Sequence, residues 1–94
     1  MPWIHATVSS SAGPADRLAR ELAQAAASAA GLEPDDIIAL VTVADAATGT
    51  GTLVTIAGRR RDDAVEGRIT DAVRRVVATS TGLGVDLVAV VRAE

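Results

Sequence analysis

The sequence predicts an α/β domain in which two tandem β-α-β units form one four-stranded sheet, with both helices on one of its faces. Three observations carry that expectation: a period-two strand at the start of the chain, two apolar stripes at helical spacing, and a repeat that relates the two halves at a constant offset.

Residues 3 to 8, Trp3-Ile4-His5-Ala6-Thr7-Val8, alternate Ile4, Ala6 and Val8 against Trp3, His5 and Thr7, the pattern of a half-buried strand. A Ser-rich turn follows. Pro14 and Asp16 then open a helix whose apolar stripe is Leu18, Leu22, Ala25, Ala26 and Ala29, with Arg17, Arg20, Glu21 and Gln24 opposite and Gly31 as its stop. Ile37 to Val43 is apolar on both alternating faces and reads as a second strand. Ala46-Ala47-Thr48-Gly49-Thr50-Gly51 is a turn before a third strand, Leu53 to Ala57. Asp62 or Asp63 caps a second helix with the stripe Val65, Ile69, Val73, Val76 and Val77, which ends at Gly82. A last strand runs from Val85 to Val91.

The halves align at an offset of 51 residues: Leu18 with Ile69, Leu22 with Val73, and Gly31-Leu32 with Gly82-Leu83. With one residue dropped, Asp36 to Val41 matches Asp86 to Val91. Residues 1–94 are therefore expected to form a single domain with pseudo-repeats 2–45 and 52–94. Right-handed crossovers place both helices on the same side of the sheet. The second and fourth strands are nevertheless apolar on both faces, so the uncovered side needs a partner, and copies of the chain itself are the economical choice. A homo-oligomer is expected.

Composition narrows the function. Nearly half the residues are apolar (49%) and Trp3 is the only aromatic, so the core is built of Ala, Val, Leu and Ile. The net charge of −3, with nine arginines scattered among acidic neighbours, provides no general attraction to nucleic acid or to an anionic membrane. The absence of Cys removes disulfides and thiolate chemistry, and a single His offers no metal site. No cofactor is implied. No signal-like segment or membrane-length apolar run is present, so a cytoplasmic location is expected.

Three places in the chain could carry chemistry. Pro2 follows Met1, which is ordinarily trimmed before a small residue, leaving a secondary amine at the start of a strand. Burial and nearby cations would make that amine a base near neutral pH, whereas a nearby carboxylate would keep it protonated. Arg59-Arg60-Arg61 precede the second helix, where three cations sit awkwardly against the positive end of the helix dipole. They are either a solvated turn balanced by Asp62 and Asp63, or a fork that holds an anion together with the helix amides. Asp35-Asp36 stand at the start of the second strand, as turn caps or as a base or water-positioning group. His5 reads as a structural or interface residue, and Gly49-Thr50-Gly51 as a hairpin turn rather than a phosphate loop, because a strand follows it.

The whole pattern resembles the tautomerase superfamily, which includes oxalocrotonate tautomerase and macrophage migration inhibitory factor. Within it, Thr52-Leu53-Val54-Thr55-Ile56-Ala57-Gly58-Arg59-Arg60-Arg61-Asp62 is similar to the strand, Arg-x-Arg and acidic helix start of malonate semialdehyde decarboxylase and its relatives. Gly31-Leu32-Glu33-Pro34-Asp35-Asp36 resembles the stretch that carries that group's catalytic Asp. The resemblance implies Pro2 as the catalytic amine, Arg59 and Arg61 as a clamp for a substrate carboxylate, and Asp36 as the group that tunes proton transfer or orients water. It also implies a trimer with sites near subunit boundaries. Ala12 stands where oxalocrotonate tautomerase would place an Arg, so a dicarboxylate held from both ends is not expected. Leu32 replaces a Lys of the inhibitory-factor branch, and the chain stops right after its last strand, which points to a more open pocket.

Three functions follow as expectations. The first is keto-enol tautomerisation of a small 2-oxo acid by neutral Pro2. The second is decarboxylation or hydration of a small oxo or unsaturated acid, with Pro2 kept protonated by Asp36. The third is a non-catalytic, oligomeric ligand-binding module of ferredoxin-like topology, which applies if Met1 is retained and Pro2 is only an amide.

Overall fold

The computed structural model describes residues 2–9, 14–44 and 51–93. Their elements run β1 (Trp3–Val8), α1 (Ala15–Ala30), β2 (Ile38–Val43), β3 (Thr52–Ala57), α2 (Asp63–Thr81) and β4 (Val88–Arg92). The strands form one sheet in the order β2-β1-β3-β4. Strands β1 and β2 are parallel, as are β3 and β4, and β1 and β3 pair antiparallel at the centre. Each parallel pair requires a crossover, which α1 and α2 supply.

Both helices begin and end where side-chain chemistry dictates. Helix α1 follows Pro14, whose fixed φ suits a helix entry, and stops at Gly31, which takes φ 71° while its N–H and that of Leu32 reach the carbonyl of Ala27. Helix α2 is capped by Asp62, whose carboxylate accepts from Val65 N at 2.9 Å, and stops at Gly82 with φ 76°. Removing that cap in Asp62→Ala is expected to cost about 1 kcal/mol in chemical denaturation.

The core lies between the helices and one sheet face. Ile4, Ala6 and Val8 point into it from β1, Val54 and Ile56 from β3, Leu18, Leu22 and Ala26 from α1, and Ile69, Val73 and Val77 from α2. Ala26, Ala27 and Ala78 lie in the same cluster, and with no aromatic ring among its members the packing depends on branched aliphatic side chains. Leu22 is fully buried, and Leu22→Ala is expected to cost about 3 kcal/mol of unfolding free energy, measured by urea titration.

The opposite face is bare. In register across it lie Ile38-Trp3-Ala57, Leu40-His5-Thr55-Val91 and Thr42-Thr7-Leu53-Ala89, and none of these residues is charged. Leu40 is 52% exposed, Leu53 and Val91 49% each, and Ile38 43%. His5 lies in the middle row, its Nε2 2.6 Å from Thr42 Oγ1.

The starts of β2, β3 and β4 and the end of β4 differ from the sequence expectation, the starts of β2 and β4 for one physical reason. Residues Val85–Leu87 form a turn of 3-10 helix rather than the start of β4, and Pro34–Asp36 form a second one before β2. A parallel strand extends only as far as its neighbour offers partners. Strand β3 begins at Thr52, paired to Val88, and β1 begins at Trp3, paired to Ile38. The residues upstream therefore close local hydrogen bonds instead, Leu87 N to Gly84 O at 3.0 Å and Ile37 N to Pro34 O at 3.0 Å. Asp36 accordingly sits in a turn, not on a strand. Ala12 and the turn from Ala46 to Thr50 lie outside the described residues.

Candidate active site

The topology gathers the chemistry-bearing residues at one end of the sheet. Because β1 and β2 are parallel, Pro2 and the turn carrying Asp36 enter from the same side, and Pro2 O accepts from Ile38 N at 3.1 Å. Strand β3 runs the other way and pairs Ala57 with Trp3, so its exit delivers the arginine segment to the same end. Gly58, at φ 116°, makes the bend there that a residue with a Cβ would resist.

An open pocket of about 310 Å³ results, lined by Pro2, Leu32, Asp36, Arg59 and Arg61. A narrow recess beside it is lined by Pro2, Arg59, Arg61, Glu66 and Arg92 together with apolar side chains such as Ile4, Ile37 and Ile69. The structure thus brings all four sequence-selected residues, Pro2, Asp36, Arg59 and Arg61, around a single pocket.

Charge pairing sorts the three consecutive arginines. Arg60 Nη2 lies 3.6 Å from Asp63 Oδ1 on the surface. Among the described residues, neither the Arg59 nor the Arg61 guanidinium has a hydrogen-bond or ion-pair partner. The solvated-turn reading needs Asp62 and Asp63 to balance the cations, but Asp62 is spent on the helix cap and Asp63 faces Arg60. Two guanidinium groups are left facing the pocket of Pro2, an arrangement suited to an anion. Of the helix amides, Val65 N is already taken by Asp62, and Asp62, Asp63 and Glu66 crowd the start of α2 with negative charge.

Asp36 is exposed and partly engaged. Its Oδ2 accepts from Glu33 N at 3.2 Å, and its own N–H donates to Glu33 O at 2.9 Å, so the carboxylate is held at the pocket rim by its turn. His5 lies on the bare sheet face with Thr42 and does not line the pocket. Among the described residues, no cluster of three or more His, Asp or Glu side chains is arranged to hold a metal ion, and no helix is long and apolar enough to cross a membrane.

Sequence reasoning missed two residues of this neighbourhood, Glu66 and Arg92. Both are largely buried, with side chains 15% and 19% exposed, and they pair at 2.7 Å. The available signal was Arg92 as a lone charge in the apolar run Val88-Ala89-Val90-Val91-Arg92-Ala93, and Glu66 beside Val65 on the apolar stripe of α2.

By sequence, no family model and no curated protein matches the chain. Solved structures match its fold over nearly its full length. A fused 4-OT solved as a symmetric trimer superposes with a TM-score of 0.83 at 17% identity, covering 98% of this chain and 84% of that one. Macrophage migration inhibitory factor from Giardia lamblia gives 0.77 at 19% identity over 99% and 98% of the two chains. A member of the cis-3-chloroacrylic acid dehalogenase family gives 0.78 at 14% identity over 98% and 73%.

Proposed function

We propose that this chain, whose fold is that of the tautomerase superfamily, is an amino-terminal-proline tautomerase acting on a small 2-oxo acid. The observation that carries the reading is one pocket in which Pro2 meets two guanidinium groups that have no partner among the described residues. Removal of Met1 would leave Pro2 as a free secondary amine there.

The chemistry follows from that arrangement. The carboxylate of the substrate sits against Arg59 and Arg61, which places the carbon beside its carbonyl near the Pro2 nitrogen. The nitrogen lone pair takes a proton from that carbon, the C–H electrons form the enolate double bond, and the guanidinium charge stabilises the enolate oxygen. Return of the proton to oxygen gives the enol and restores the neutral amine. In the reverse direction the amine accepts the enol proton and delivers it to carbon.

The lyase reading needs a protonated amine, and Asp36 on the pocket rim favours it. Its influence is the weaker one. Asp36 is exposed and already accepts from Glu33 N, and Glu66 is neutralised by Arg92, whereas Arg59 and Arg61 have no ion-pair partner among the described residues and stand beside a largely apolar recess. Burial and net positive surroundings both disfavour the charged amine.

The chain is further proposed to work as a homotrimer, joined through the uncharged face of Ile38, Leu40, Leu53 and Val91. A trimer is the described state of the fused 4-OT that shares the fold. The test of function is ketonisation of phenylenolpyruvate followed by absorbance. Turnover by the wild type with a loss of about a hundredfold or more in kcat/KM in Arg61→Gln supports the assignment. Turnover that is indifferent to Arg59→Gln and Arg61→Gln contradicts it.

A further inference from the structure

Arg59 and Arg61 lie on a short segment between β3 and α2, and such a segment would be too loose to aim two long side chains unless something held it. The structure contains a holding device. Arg92, the last residue of β4, turns its guanidinium inward. Its Nε donates to Glu66 Oε1 at 2.7 Å, one terminal nitrogen donates to Gly58 O at 2.8 Å, and the other reaches Ile56 O at 3.3 Å and Ala93 O at 3.5 Å. Glu66, in the first turn of α2, uses its second oxygen to accept from Arg61 N at 3.3 Å. The two ends of Gly58–Arg61 are thus gripped by the two halves of one ion pair: Gly58 O by Arg92 and Arg61 N by Glu66. The pair is mostly shielded from water, which strengthens it and rigidifies what it holds. It also lines the recess behind Pro2 together with both arginines.

We propose that Glu66 and Arg92 are positioning residues which fix the Gly58–Arg61 segment so that Arg59 and Arg61 face the Pro2 pocket; this inference rests on the function proposed above. The pair does not itself hold the substrate, since its donors and acceptors are turned to backbone and to each other. Arg is required at position 92 because only a planar fork reaches Glu66 and Gly58 at once.

The test compares wild type, Arg92→Lys and Glu66→Gln, each alone and combined with Arg61→Gln. Turnover of phenylenolpyruvate is measured, and binding of phenylpyruvate is followed through the arginine Nε–H signals by NMR. Arg92→Lys keeps the charge and loses the fork. It is expected to lower kcat/KM by about a hundredfold with far-ultraviolet circular dichroism unchanged. The loss should appear in KM, through the carboxylate contact, and in kcat, through the enolate oxygen that the same guanidinium groups stabilise. In the Arg92→Lys background, Arg61→Gln is expected to cost far less than in the wild type, because the side chain it removes is already misplaced. A general loss of stability would not produce that coupling. Should Arg92→Lys fail to fold, Glu66→Gln, of nearly identical shape, carries the same comparison.

Wild-type KM in both variants, or effects at 61 and 92 that simply multiply, would overturn the positioning role while leaving the Pro2 chemistry standing. A wild type that turns over no phenylenolpyruvate removes the tautomerase reading instead. Phenylpyruvate binding then decides the positioning role: weaker binding in either variant supports it, and unchanged or absent binding at Arg59 and Arg61 overturns it.

Discussion

Replacing Pro2 by Ala is expected to lower kcat/KM for phenylenolpyruvate by about a hundredfold, near the low end of what loss of a positioned acid–base group costs. The effect is not total because Met1 is trimmed before Ala as well, and a primary amine then occupies the same place. What is lost is the ring. Pro2 is tied to β2 by its own carbonyl, and its pyrrolidine ring prevents the amine from rotating about the N–Cα bond, which restricts where the nitrogen lone pair can point. An alanine amine rotates and is better solvated, so it is both misdirected and harder to keep neutral. KM should change little, because Arg59 and Arg61 still hold the carboxylate. The opposite pattern, a large rise in KM with kcat preserved, would show that Pro2 contributes shape and not proton transfer.

The second large effect concerns assembly. Leu40→Asp places a carboxylate at the β2 end of the middle row of the bare face, opposite His5, with Thr55 and Val91 farther along the same row. If copies cover that face, the new charge must lose its water in an apolar interface with no Arg or Lys among the face residues to pair with. Sedimentation is expected to change from a particle of three 9.5 kDa chains to a single chain. Helix content should persist, since Leu40 points away from the core. Activity is expected to fall with the assembly if the sites depend on subunit boundaries. A wild-type chain that sediments alone would contradict the trimer outright.

The fold was legible in the sequence wherever burial leaves a period. Ile4, Ala6 and Val8 alternate because β1 is central and only one of its faces meets the helices. The stripes Leu18-Leu22-Ala26 and Ile69-Val73-Val77 repeat because both helices lie on that same face. Gly31 and Gly82 were readable as stops because only glycine takes the left-handed conformation cheaply. The sequence pattern places the starts of β2 and β4 one and three residues too early. Val85-Asp86-Leu87 has strand composition, and the pairing that sets where β4 starts, Thr52 with Val88, is a tertiary fact.

The site divided in the same way. Pro2, Asp36, Arg59 and Arg61 stood out by position and chemistry, and the antiparallel pairing of β1 with β3 explains why distant segments meet. The roles of Asp62 and Asp63 were ambiguous in sequence, and geometry separates them, one to the helix cap and one to Arg60. Glu66 and Arg92, 26 residues apart, had no signal as a pair, because nothing local links the first turn of α2 to the end of β4.

The central claim is that Pro2 is a free amine, neutral near pH 7 because of its apolar recess and of Arg59 and Arg61, which have no partner among the described residues. Titrating the Pro2 nitrogen by 15N NMR tests it directly. An amine serves as the base only when unprotonated, so kcat/KM should rise with pH through the same midpoint and level off above it. The expected midpoint lies clearly below the ordinary α-amino range of about 7.7–8.0. A midpoint above that range would mean an amine kept charged, as lyase chemistry requires, and a nitrogen that does not titrate would mean that Met1 remains attached and that Pro2 has no part in proton transfer.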